Sequence, residues 1–262
     1  MKNLLDSYLD FCNFRKDYNV NSKIIVKNDF LTPTHIIPLY HFITTNDIPS
    51  ENIIIENQDV HSYFENIIKK DISSRSTFTY IPLTRLPEDH TNFDSEMDSI
   101  YNILKDRFSD PTPLFYIFQE LINNIYDHSE FTNAFFMAQE YKQQGLLDFS
   151  FFDDGLTIPR VFRNSGIGLP EDVDCIYRAW KGVTTRPDAG RGKGIRSSYN
   201  ICTNQYEGEF LIISGKGILD LRKPPRKHKP NDPHFHLNGT MISARCKFME
   251  PKGKFIDNLV WE

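Results

Sequence analysis

The sequence predicts an α/β (α+β) protein built in two parts. Three observations carry the prediction. Short β-branched runs alternate with apolar-striped helices up to Lys69. A strong strand, Leu146-Leu147-Asp148-Phe149-Ser150-Phe151-Phe152, ends in Asp153-Asp154-Gly155. Upstream of it, the stretch Glu120–His128 has an apolar stripe beside one made of acids and an amide. Periods of 3.6 and 2 thus alternate along one chain, which is the pattern of mixed helix and sheet.

The elements follow in order. Leu4, Leu5, Tyr8, Leu9 and Phe11 recur at helical spacing in a lead-in over residues 1–20. Lys23-Ile24-Ile25-Val26-Lys27 reads as a strand. Ile36–Ile43 reads as a packed helix, with Pro38 in its first turn if Thr34 is the N-cap. Ile53–Ile55 is a second strand, and Val60–Lys69 a second helix. Asp71–Thr77 is a polar link. Phe78–Leu83 suits a strand and Asp94–Phe108 a helix. The divisions are therefore 1–75, a small α/β unit; 76–110, a connecting strand and helix; and 111–262, a larger unit. In the larger unit Asn133–Tyr141 alternates like a strand. The stretch Leu156–Arg191, rich in Gly, Pro and Arg, holds one predicted helix, Asp172–Lys181. A helix over Ile195–Thr203 and strands at Glu209–Ser214 and Gly239–Cys246 complete it. Prolines mark Arg222–Pro230 as a loop.

Composition narrows the function. The net charge of −5 counts against a dedicated nucleic-acid binder. No apolar run reaches the roughly 18 residues of a membrane span. The first residues, broken by Asp6, lack the apolar centre of a signal peptide. Cys12, Cys175, Cys202 and Cys246 are scattered, so free thiols in a reducing, cytoplasmic setting are expected.

The candidate chemistry lies in three places. A helix advances about 100° per residue, so Glu120, Asn124 and Asp127 share one stripe, with His128 at its margin. Leu114, Phe118, Leu121 and Ile125 form another. No Lys or Arg falls between Pro111 and Glu130 to pair with the acids. Such a face suits a hydrated metal ion or an activated water. Asp153 ends a strand and can accept a hydrogen bond from an amino group, while Gly155 lets a flat base approach the backbone. Taken alone, the pair reads as readily as an Asp-Gly turn. Gly190-x-Gly192-x-Gly194 before a helix, with Arg191 and Lys193, offers N–H groups to an anion. It has neither the Walker A spacing nor the strand context of a dinucleotide fingerprint.

In this order the three motifs resemble the GHKL superfamily of ATPases (gyrase, the ninety-kilodalton heat-shock chaperone, histidine kinases, MutL) over about residues 110–248. The resemblance implies a two-layer Bergerat-type ATP-binding sandwich with ATP and Mg²⁺ as its ligands. Glu120-Leu121-x-x-Asn124-x-x-x-His128 looks like the N-box. On that likeness Asn124 would coordinate Mg²⁺, Glu120 would polarise the attacking water, and Asp127 and His128 would line the phosphate side. Asp153 and Gly155 look like the G1 box, with Asp153 on the adenine amino group. Gly190, Gly192 and Gly194 look like the G2 box, and Gly239-Thr240 like the terminal Gly-Thr. Where the family has Asp-x-Gly-x-Gly, the second Gly is Thr157 here. Gly182–Arg186 is similar to the family's lid, with Thr184, Thr185 and Arg186 near the phosphates. A Glu-headed, His-ended N-box is closest to the anti-sigma-factor serine kinases. That implies an ATPase or serine/threonine kinase in signalling. The alternative is a nucleotide-gated protein-binding module with little turnover.

The strand–helix order of residues 1–75 resembles a STAS domain, whose antagonists are phosphorylated by GHKL partners. The equivalent position here would be Thr34, then Thr32, although Thr34 also reads simply as a helix cap. A regulatory protein partner, or a second copy of the chain, is implied. The basic run Arg222–Lys229 reads as a solvated hairpin, with a contact to nucleic acid or to an acidic partner as the alternative. His228, His234 and His236 read as a surface loop, since no nearby acid completes a metal site.

Overall fold

The computed structural model describes residues 1–69, 80–89, 93–185 and 192–260. Helix and sheet are mixed, as the sequence predicts. In chain order the elements are α1 (Leu4–Asn21), β1 (Ile24–Val26), α2 (Pro33–Thr45), β2 (Ile53–Ile55) and α3 (Gln58–Lys69). Then come β3 (Tyr80–Arg85), α4 (Asp94–Lys105), α5 (Thr112–His128), β4 (Ala134–Tyr141) and β5 (Leu146–Asp153). α6 (Ile158–Asn164), α7 (Asp172–Trp180) and α8 (Gly194–Asn200) precede β6 (Glu209–Gly215), β7 (Gly217–Asp220), β8 (Arg226–His228) and β9 (Leu237–Lys247). The polar link 71–77 falls outside the described residues.

β3 to β9 form one antiparallel sheet in the order β3-β4-β5-β9-β6-β7-β8. Its two central strands, β5 and β9, are buried on both faces. This explains why β5 reads as a nearly continuous apolar run rather than an alternation. On the front face Phe149 and Phe151 of β5 meet Phe118 of α5, at 5.2 Å between ring centroids in each case. The predicted stripe Leu114, Phe118, Leu121 and Ile125 is buried there. Each such side chain contributes about 2 kcal/mol.

The back face carries a polar centre. Asp148 and Ser150 of β5 lie opposite Arg245 and Ser243 of β9. Arg245 holds Asp148 with two bonds of 2.7 Å, both partners buried. Its third nitrogen donates to the Lys2 carbonyl (2.8 Å), and the Leu4 N–H donates to Glu209 (3.2 Å). Thr34 of α2 shares a hydrogen bond with Ser150 (3.3 Å), which bonds Ser243 at 2.8 Å. Around these bonds, Phe135, Met137, Phe152, Leu211 and Met241 of the sheet share one apolar cluster with α1–α3. Helices therefore cover both faces, and β1 and β2 stand apart as a parallel pair.

Four sequence expectations change. α2 starts at Pro33 with Thr32 as its N-cap, so Thr34 is not the cap. His35 accepts from the Thr32 N–H at Nδ1 (3.1 Å), which secures the earlier start and leaves Pro38 inside the helix. Thr34 is fully buried, because the first turn of α2 inserts into the sheet's back face. The described part of Leu156–Arg191 holds two helices rather than one. α6 begins where Thr157 accepts from the Arg160 N–H and Pro159 occupies the first turn. Thus Thr157, standing where the motif has glycine, works as a cap. Finally, the region between β6 and β9 carries strands at β7 and β8. The prolines leave only three residues for β8, which forms a charged sheet edge. The predicted helix at Ile195–Thr203 is α8 followed by a π-helical turn, Ile201–Gln205.

Candidate functional site

The site forms where α5, the C-terminal end of β5 and the start of α8 converge. β5 and β9 are in register with Asp153 opposite Thr240, and Thr240 lies opposite Ser214 of β6. Thr240 and Ser214 share a hydrogen bond of 2.8 Å, and Ser214 takes the Ile158 N–H at 2.9 Å. A polar row thus crosses three strands at the floor of a pocket. Phe151 and Ile242 flank it, and Ile158, Val161 and Phe162 of α6 form a wall. Asn124 and His128 come from α5 and Ser129 from its C-cap, and Thr184, Thr185, Gly192 and Gly194 from the mouth. The empty space, open solvent included, is about 830 Å³.

Asp153 is the electrostatic centre of the pocket. Its side chain is buried, and burial raises its pKa from 3.8 to about 8. Asp154 pushes the same way; the Gly155 N–H (3.1 Å) and Ser129 oppose it. Ser129 itself donates to the Ile125 carbonyl (2.8 Å). No cation among the described residues acts on Asp153. Asp154, by contrast, is structural: it accepts from the Thr132 and Asn133 N–H groups at 2.8 and 2.7 Å.

Three glycines create this geometry. A Cβ at Gly155 would overlap the Ser129 carbonyl, so Gly155 lets the end of β5 pack against the end of α5. Gly239, at φ +119°, lies against the Asp153 carbonyl, a conformation few other residues adopt. Gly192 (φ +92°) lies against Gly182 and Thr184, which brings the two sides of the mouth together.

Of the residues singled out in the sequence, Asn124, His128, Asp153, Thr185, Gly192, Gly194 and Thr240 line this one pocket. Gly155 supports it from behind. Glu120 is on the same helix but outside the lining, with its carboxylate against Gly194. Burial and Asp127 raise the Glu120 pKa, and a hydrogen bond from Tyr116 opposes them. Asp127 and Lys193 also fall outside the lining. Gly190, Arg191 and Arg186 lie outside the described residues. One Asn124 amide atom, placed as nitrogen, is buried without a partner. The two ends of an amide are assigned from their partners, so the atom there can equally be the oxygen. Among the described residues no group of three or more His, Cys, Asp or Glu side chains could hold a metal ion. Sequence reasoning missed the α6 wall and Ser214. Thr157-x-Pro159 was a usable helix-start signal; nothing local marked Ser214.

The arrangement suits a flat, partly apolar molecule that presents an amino group to Asp153 and a polar tail to the mouth. No protein-family model, curated protein or solved structure matches the chain.

Proposed function

We propose that the protein binds Mg·ATP in this pocket and acts as a GHKL-type ATPase or protein serine/threonine kinase in a regulatory, cytoplasmic role. The observation that carries the reading is Asp153, a carboxyl group buried in the pocket floor with no cation on it among the described residues. Its natural complement is a neutral donor on a flat ring, such as the exocyclic amino group of adenine. Thr240, in register beside it, offers a hydroxyl to the same edge. Thr184, Thr185, Gly192, Asn124 and His128 surround the end where the phosphates would lie.

Asn124 is the residue that would hold Mg²⁺, through its amide oxygen. The unpartnered amide atom supports this, and so does the preference of Mg²⁺ for one or two protein oxygens plus phosphates and water. When bound, the ion would neutralise charge on the phosphates. Glu120 would take a proton from the attacking water or hydroxyl; burial raises its pKa, which makes the carboxylate a stronger base than an exposed one. His128 and Asp127 would shape the phosphate side. The N-terminal unit, read as STAS-like, suggests regulation by a protein partner or a second copy of the chain. Buried Thr34 is not offered as its phosphoacceptor.

One observation favours a second reading, a nucleotide-gated binding module. Glu120 rests on Gly194 and does not line the pocket. Nucleotide binding and phosphate release by wild type and Glu120→Gln separate the two. The enzyme reading expects both proteins to bind ATP, with release at least about 100-fold slower in the variant. Background release from both, with ATP bound, selects the module. No ATP binding by wild type rejects both.

A further inference from the structure

The last described residues return to the site from outside it. A short helical turn, Phe255–Asn258, lies across α5 and the α8 segment. Phe255 meets Tyr116 of α5 edge to face, 5.5 Å between centroids. The Asn258 carbonyl accepts from the Asn200 side chain, and the Asn258 side-chain oxygen from that of Asn204, each at 3.2 Å. The Val260 N–H donates to the buried Ser197 hydroxyl at 3.0 Å. Ser197 in turn hydrogen-bonds Tyr116, and Tyr116 hydrogen-bonds Glu120. Tyr116 and Glu120 are four residues apart on α5, where side chains are neighbours. The path from the strap to the Glu120 carboxylate therefore runs from the Val260 backbone to Ser197 by a hydrogen bond, and from there through the Tyr116 hydroxyl, which bears on both Ser197 and Glu120. The far side of that carboxylate meets the Gly194 backbone.

We propose that the segment Phe255–Val260 is a strap that positions Glu120, acting through Ser197 on α8 and Tyr116 on α5. Tyr116 and Ser197 are then positioning residues: they fix where the carboxylate points and which protonation state is favoured. The strap also ties α5, which carries the N-box-like acid, to α8, which begins at Gly194, the last of the G2-box-like glycines. Among the described residues, the titratable groups bearing on Glu120 are Tyr116 and Asp127, both on α5. α8 presents Gly194 to it, and the strap reaches it only through that path. The role in catalysis rests on the ATP reading; the positioning itself does not.

The test reads Glu120 directly in the nucleotide-free protein. Its carboxyl carbon is followed by ¹³C NMR as a function of pH, with Glu120→Gln identifying the signal. Tyr116→Phe keeps the ring against Phe255 and removes the donor. The midpoint of Glu120 should then rise by about one pH unit, because a bond to the charged form has been lost. Ser197→Ala and Phe255→Ala should raise it in the same direction, and neither should add to the Tyr116→Phe shift, since all three act through one chain. A midpoint unchanged across the folded variants overturns the proposal, as does a fully additive triple variant. Phosphate release is measured in parallel. Movement of the midpoint without any wild-type ATP turnover keeps the strap and removes only its catalytic meaning.

Discussion

Asp153 offers the sharpest quantitative test. Replacing it with Asn keeps the shape and removes the titration. In the unfolded chain an aspartate ionises near 3.8; in the fold Asp153 ionises near 8. At about 1.4 kcal/mol per pH unit, ionising it in place costs on the order of 6 kcal/mol. The sign follows from proton binding. Between those values the folded state holds a proton that the unfolded state has lost, so stability falls as pH rises and the whole cost is present above about pH 8. Denaturant unfolding of both proteins from about pH 5 to 9 isolates this one group, since every other titration is shared. Asp153→Asn should gain on wild type by roughly 1.4 kcal/mol per pH unit through the middle of that window. Parallel curves would refute the burial argument. The same carboxyl should report ligand binding. At pH 7 about nine in ten empty pockets hold the proton. An amino donor that draws the pKa down would then release close to one proton. Calorimetric ATP binding in buffers of different ionisation heat should therefore give different apparent enthalpies; identical enthalpies would count against contact between the base and Asp153.

Three further outcomes are expected. Asp148→Ala leaves Arg245 buried and unpaired, so it should cost about 3–5 kcal/mol; thermal melts check this, and a double apolar replacement of the pair should recover much of the loss. Gly155→Ala and Gly194→Ala form a contrasting pair. The first collides with the Ser129 backbone and should destabilise by a few kcal/mol. The second meets only the end of the Glu120 side chain, so it should cost little stability and reduce phosphate release; equal melts for the two would argue against the packing described. Limited proteolysis should nick 165–171 and 181–185, which join the helices around the mouth, and ATP with Mg²⁺ should suppress the cuts; an unchanged digest would place nucleotide elsewhere.

Local chemistry made much of this legible. The α5 stripe, the β5 run and the Asp153-x-Gly155 ending each follow from side-chain period and backbone freedom, so they could be read where they stood. α6 was legible in principle, through Thr157 and Pro159, but the expected Asp-x-Gly-x-Gly directed attention to a missing glycine rather than to the cap in its place. The start of α2 was not legible, because Thr32 and Thr34 are both plausible caps on sequence. Their difference lies in what each meets: His35 for one, the back of the sheet for the other.

The sequence by itself determined the mixed α/β class, the order of most elements and several of the residues gathered at the pocket. Those depend on period, turn chemistry and capping, which act over a few residues. Only the tertiary structure decided the relations across the chain. It set Asp153 opposite Thr240, buried the Asp148–Arg245 pair under the N-terminal helices, and placed Glu120 against Gly194 rather than in the pocket lining. It also brought Val260 back to Ser197. Each of these joins residues far apart in sequence, and their energies depend on burial and register, which no local pattern encodes.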